Sequence, residues 1–181
     1  LEYSARDVLM RLRGVQKPSG DIVIVAIDDD SFNWTGYQWP WPRSYLAEIV
    51  DQVNAGGGKI VGVDIFLFEP DKASANDQAF ADALGRAPSA VSVLQIFESS
   101  VDNFTVSTLL QPLTPYQQTL DGIGVTAFTR DEDAIVRSVQ AYDTYNGETY
   151  YHWAFEVARL YLGVDEPSNP TNKSVQFNGQ T

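Results

Sequence analysis

Apolar residues along this chain fall into two rhythms. From Ile22 to Ile27 every position is apolar and the run stops at Asp28-Asp-Asp-Ser31; a second run, Ile60-Val-Gly-Val-Asp64-Ile-Phe66, leads on to Glu69-Pro70. Unbroken runs of this length predict strands buried on both faces, as in a parallel sheet. Between them lies Trp39-Pro-Trp-Pro-Arg43, and then Leu46, Ile49, Val50 and Val53 follow helical spacing, with Pro42 in the first turn and Gly56-Gly57-Gly58 at the end. The stretch reads as one β-α-β unit of about 45 residues with a right-handed crossover and carboxylates at both strand exits.

Other segments extend this pattern. Tyr3 to Arg13 carries Val8, Leu9 and Leu12 at helical spacing and closes at Gly14, with Pro18 beyond. Ser74 and Asp77 have capping-box spacing ahead of a helix with Phe80, Ala81 and Leu84. A third strand is expected over Ala90 to Phe97, and Glu98 to Asp121, with Pro112 and Pro115, reads as a long irregular excursion. Gly124 to Thr129 and Ile135 to Tyr142 are expected as antiparallel strands joined by Arg130-Asp-Glu-Asp-Ala134, and Asn146-Gly147 is a turn. Tyr151, Phe155, Ala158 and Leu162 share the face of a last helix closed by Gly163. The fold class is α/β: a mixed, mainly parallel central sheet with flanking helices and a C-terminal antiparallel hairpin plus helix.

Composition narrows the function. The 181 residues can bury roughly 70% of their unfolded surface. A net charge of −12 repels phosphate backbones, so nucleic acid is excluded as a partner class. The absence of cysteine removes thiolate metal sites, catalytic thiols and disulfides. No apolar run approaches the roughly 20 residues that span a bilayer. The chain opens at Leu1 and ends in Val175-Gln-Phe-Asn-Gly, a strand-and-turn pattern cut short, and so reads as an excerpt of a longer protein.

Candidate chemistry gathers at the strand exits, where ligands of open α/β sheets bind. On adjacent strands Asp28 and Asp64 would emerge roughly 4.8 Å apart. At an effective dielectric of 20 they would repel by about 3–4 kcal/mol. A divalent cation at Asp28 and Asp64, a raised pKa or the guanidinium of Arg43 could compensate. The structural alternative is that Asp28 to Ser31 form caps and Asx turns. Trp34, Tyr37, Trp39 and Trp41 form an aromatic patch, suited to stacking a ligand or to roofing the core. His152, the sole histidine, is assigned a structural role. No acidic stretch has the glycine and glutamate of a calcium EF-hand loop.

Taken together, Asp7-Val-Leu-Met-Arg-Leu-Arg-Gly14, Ile24-Val-Ala-Ile-Asp-Asp-x-Ser31, Gly36-x-x-Trp39-Pro-Trp-Pro-Arg43, Gly62-Val-Asp64-Ile-Phe with Glu69-Pro70, and Ala158-Arg-Leu-Tyr-Leu-Gly163 resemble the second class of CHASE domains. These are extracytoplasmic sensory modules of bacterial receptors with cyclase, histidine-kinase or serine/threonine-kinase output. One departure is Asp131-Glu-Asp133-Ala134, where that family usually carries Asp-x-Asp-Gly. The resemblance implies a juxtamembrane helix over 1–14, a sensor domain over 15–164, and a linker with a truncated strand over 165–181. It implies a non-catalytic extracytoplasmic domain of a cytoplasmic-membrane receptor, acting with its own transmembrane and output domains, as a homodimer. Asp28, Asp29, Trp39, Trp41, Arg43, Asp64 and Glu69 are the expected ligand-binding residues, for a small molecule or an ion. Two alternatives stand beside this: a metal-dependent hydrolase using Asp28, Asp64 and Glu69, and a dimerisation module without a ligand.

Overall fold

The computed structural model describes residues 2–101, 104–126, 128–166, 168–171 and 174–176. They divide into two compact units, one up to Trp39 and one from Pro40 onward. The first holds α1 (Glu2–Arg13) and α2 (Asp29–Thr35). Gly14 and Gly36 close them in the left-handed conformation that glycine adopts without steric cost.

Residues 21–28 join no sheet, which corrects the expected first strand. Ile22, Val23 and Ile24 are more than four-fifths exposed. β-branched composition makes a segment fit for a strand, but only a neighbouring ladder makes it one. Asp28 is therefore a helix cap, not the tip of a strand.

The second unit opens with α3 (Arg43–Ala55), whose Leu46, Ala47 and Val50 are buried as the spacing predicts. β1 (Val61–Val63), α4 (Ser74–Arg86) and β2 (Ala90–Val101) follow, then β3 (Phe104–Leu110), α5 (Thr114–Gln117) and β4 (Gly122–Val125). β2 lies between β1 and β4 and pairs parallel with both, through Val63↔Ser92 and Ser92↔Ile123. The β-α-β unit is thus β1-α4-β2, one crossover later than the sequence pattern suggests. Past Leu94, β2 leaves the parallel sheet and pairs antiparallel with β3, from Gln95↔Leu110 to Val101↔Phe104. The expected excursion over 98–121 is therefore a long hairpin arm and a short helix. Its alternation was hidden by threonines and serines that suit an exposed strand.

Next come β5 (Phe128–Thr129), β6 (Ser138–Val139), β7 (Tyr142–Tyr145), β8 (Glu148–Tyr151), α6 (Trp153–Leu162), β9 (Ser168–Thr171) and β10 (Ser174–Gln176). β5 pairs with β6, β7 with β8 across Asn146-Gly147, and β9 with β10, all antiparallel. Gly124 and Val125 belong to the parallel sheet, so the hairpin expected from Gly124 shrinks to β5 and β6. The turn expected at Asn178-Gly179 lies outside the described residues. The fold is mixed α/β, with a mainly parallel sheet, flanking helices, and a hairpin and helix toward the C-terminus.

Phe80, Leu84, Val91, Val93, Leu94, Leu67, Tyr116 and Val125 are fully buried and form the core. Two glycines let α6 close on the sheet. A Cβ at Gly124 would lie 2.5 Å from the Trp153 Cα, and one at Gly62 2.7 Å from the Trp153 ring. The face of α6 that meets the sheet carries Trp153 and Glu156; of the expected stripe, Phe155 and Ala158 are half-buried, Tyr151 is in β8 and Leu162 is exposed. Glu156 is buried because Arg159, one turn on, grips it at 2.8 Å. An apolar count cannot register such a pair. Among the described residues no helix is long and apolar enough to cross a membrane.

Candidate functional site

In the first unit, Asp28 is the N-cap of α2. Its Oδ1 accepts the Ser31 N–H at 3.1 Å and the Ser31 hydroxyl at 2.8 Å, and Ser31 Oγ accepts the Asp28 N–H at 3.3 Å. This closed capping box, led by the Ser31 hydroxyl, lowers the Asp28 pKa. Asp29 occupies the first turn of α2, where a negative charge suits the helix N-terminus. Trp34 on α2 is almost wholly exposed, and Trp39 about half so.

In the second unit the Trp-Pro segment runs inward. Trp41 is buried, with its ring 6.2 Å from that of Tyr45 in an edge-on contact. Arg43 is buried at the start of α3, and its backbone N–H donates to Asp71 Oδ2 at 2.8 Å. Asp71 also accepts from the Ala73 N–H and the Asn76 amide, while its own N–H donates to both oxygens of Asp77. Desolvation, the largest effect, pushes Asp71 up. The N–H groups of Ala73 and Arg43, the Asn76 amide and the Arg43 charge together bring it below the usual carboxylate value.

The same cluster reaches the core through Tyr116, whose hydroxyl donates to Asp77 Oδ1. Burial first, and then that carboxylate, push the phenol well above its ordinary value. Asp77 is therefore not a capping-box partner for Ser74, since α4 has its N-cap at Ala73 without a side-chain bond. Arg43 Nη1 is buried with no hydrogen-bond partner. Leaving such a donor unsatisfied costs roughly 1–3 kcal/mol. Glu69 is exposed, two residues before Asp71. Asp71 follows the Glu69-Pro70 pair directly, and no local pattern links it to Asp77 or Asp77 to Tyr116.

Asp64 leaves β1 exposed, and its charge acts on His152. His152 is buried as the N-cap of α6, where its Nδ1 accepts the Ala154 N–H at 3.2 Å. In the neutral ring the hydrogen is then on Nε2, which is buried without a partner, as is Nε1 of the adjacent Trp153. Burial lowers the His152 pKa, and Asp64 partly opposes that shift. The Phe128 ring stands edge-on 5.9 Å away. A lone histidine at a helix start gave no signal of this; its place beside the end of β4, through the Val125↔His152 bridge, is a tertiary fact.

Within this unit no hydrogen bond or ion pair joins Arg43, Asp64 and Glu69 to one another; Arg43 belongs to the Asp71 cluster and Asp64 to the His152 end of the sheet. Among the described residues no three His, Cys, Asp or Glu side chains are grouped so as to hold a metal ion.

No curated protein and no solved structure matches the chain. A family model does: that of the CHASE2 domain, over residues 1–180. A match along this whole length shows that the chain belongs to the CHASE2 family of extracytoplasmic sensory domains.

Proposed function

We propose that this chain is the non-catalytic, ligand-sensing domain of a bacterial transmembrane receptor whose output is a cyclase or a kinase. The observation that carries the reading is the CHASE2 match over residues 1–180. On this reading α1 is the juxtamembrane segment and the receptor works as a homodimer. The stimulus is read in the second unit at the carboxyl edge of the parallel strands. Asp64 supplies a charge there, and His152 Nε2 and Trp153 Nε1 are donors in search of an acceptor. Arg43, with a buried Nη1, is the second candidate contact. Asp28 has its carboxylate committed to the α2 cap.

A ligand shifts a two-state receptor only by its differential affinity, and moving a population from 1% to 99% takes about 5.5 kcal/mol. Calorimetric titration of the 181-residue chain with amino acids, nucleotides, sugars and divalent metals is the direct test. Saturable binding to one class, weakened in Asp64→Asn and His152→Asn, is expected. Silence across the panel would overturn direct ligand sensing.

A further inference from the structure

A cleft lies apart from the Asp64–His152 edge. Where β4 begins, β8 ends and α6 passes over both, a cleft of about 360 Å³ is lined by Asp121, Tyr150, Tyr151, Glu156, Arg159 and Glu166. That volume is within the range of small-molecule sites. Three of its side chains are carboxylates and one is a guanidinium. Glu156 is the buried member, 6% exposed. Arg159 holds it through Nε and Nη2, both donating to Oε2, so Oε1 has no hydrogen bond among the described residues. Asp121 is fixed by the Ser89 hydroxyl and the Ala90 N–H, and neither it nor Glu166 has an ion-pair partner among the described residues. The described lining therefore sets three carboxylates against one guanidinium, whose charge is felt by Glu156 first and by Glu166 at longer range, leaving a net negative cleft. The field is felt by Tyr151: burial first, then Glu166 and Glu156, raise its pKa.

We propose that this cleft binds a small organic cation, an amine or quaternary ammonium. Its charge is met by Glu156 and Glu166, and its carbon skeleton by the rings of Tyr150 and Tyr151. Carboxylates neutralise such a cation, and aromatic rings attract it through their negative faces. A carboxylate or phosphate ligand is disfavoured because Arg159, the cation of the cleft, is already engaged by Glu156. A divalent metal is disfavoured because the described acids of the cleft do not form a ligating group.

The test is calorimetry of the 181-residue chain with choline, putrescine, glycine betaine and acetate at constant ionic strength. Saturable binding of choline or putrescine is expected, with none of acetate. Glu166→Gln, on the exposed rim, is expected to weaken it about tenfold. Glu156→Gln should weaken it at least as much, provided circular dichroism shows that this variant folds; Tyr150→Leu supplies a third test that leaves the buried pair intact. Glu48→Gln, the same charge change on the exposed face of α3, should leave binding unaltered. The proposal is overturned if neither cation binds. It is overturned equally if Glu48→Gln weakens binding as much as Glu166→Gln, which would mean unspecific attraction to an acidic chain. Binding of glycine betaine alone would also sink it, since that would make Arg159 the anchor of a zwitterion site. Because binding is read on the chain itself, the outcome is independent of whether the Asp64–His152 edge senses anything.

Discussion

Ala134 has a positive φ of 64°, a conformation that L-residues other than asparagine and aspartate seldom adopt. The turn around it leaves no alternative. The Ala134 N–H donates to the Asp131 carbonyl at 2.8 Å, and the Asp131 N–H to the Ile135 carbonyl at 3.0 Å. Arg137, nearly buried, grips Asp131 at 2.9 Å and Asp133 at 2.8 and 2.7 Å. Asp133, held first by that guanidinium, has its pKa lowered to about 2. The glycine usual in the family at this place would take the same φ without strain, so alanine stores energy here. Left-handed backbone costs an L-residue roughly 1–2 kcal/mol. Glycine gives back about 0.4–1 kcal/mol through the greater freedom of its unfolded chain. Ala134→Gly should therefore stabilise the chain by about 0.5–1 kcal/mol, or roughly 1–4 °C in Tm at this size. Urea unfolding and calorimetry are the assays. Ala134→Val, with a branched Cβ, should destabilise. If Ala134→Gly proved neutral or harmful while Ala134→Val was harmless, residue 134 would not be left-handed and the reasoning would fail.

Four further outcomes follow from the packing. Tyr116→Phe removes the hydroxyl that satisfies buried Asp77 and should cost about 1–3 kcal/mol in urea unfolding. Gly124→Ala sets a Cβ against the Trp153 backbone, so α6 must shift; a loss of about 1–3 kcal/mol with altered tryptophan fluorescence is expected, and an unchanged Tm would contradict the close approach. Leu67→Ala, at a fully buried side chain, should cost about 2–5 kcal/mol. His152 is buried neutral with a lowered pKa, so the unfolded chain binds its proton first; stability should fall as pH drops below about 6.5, and His152→Asn, which can still cap α6, should flatten that limb.

What could be read along the chain was what local spacing determines. The helices at 43–55 and 74–86 and the Asn146-Gly147 hairpin follow from periodicity, stop signals and turn chemistry, each settled within a few residues. Pairing is not local. Ile22–Ile27 and Val61–Val63 carry the same kind of apolar run, yet β1 gained β2 as a ladder partner while 22–27 joined no sheet. Candidate residues divide along the same line. Asp28 followed its local cap, legible in the Asp-x-x-Ser spacing, but Asp77 meets Tyr116 across 39 residues of chain and Asp71 meets Arg43 across 28, and no spacing announces either. A buried acid is misread most easily of all, because its residue type argues for the surface until its partner is known.

Arg43 Nη1, His152 Nε2 and Trp153 Nε1 are buried donors without a hydrogen-bond acceptor among the described residues. Leaving such a donor unpaired costs roughly 1–3 kcal/mol. Two of them belong to adjacent residues at one end of the sheet, beside the charge of Asp64. An acceptor-bearing ligand that satisfied that pair would recover on the order of 2–6 kcal/mol. Replacing His152 with asparagine shortens the donor and keeps the cap, so it should reduce the response of a receptor to its ligand without unfolding the domain that senses it.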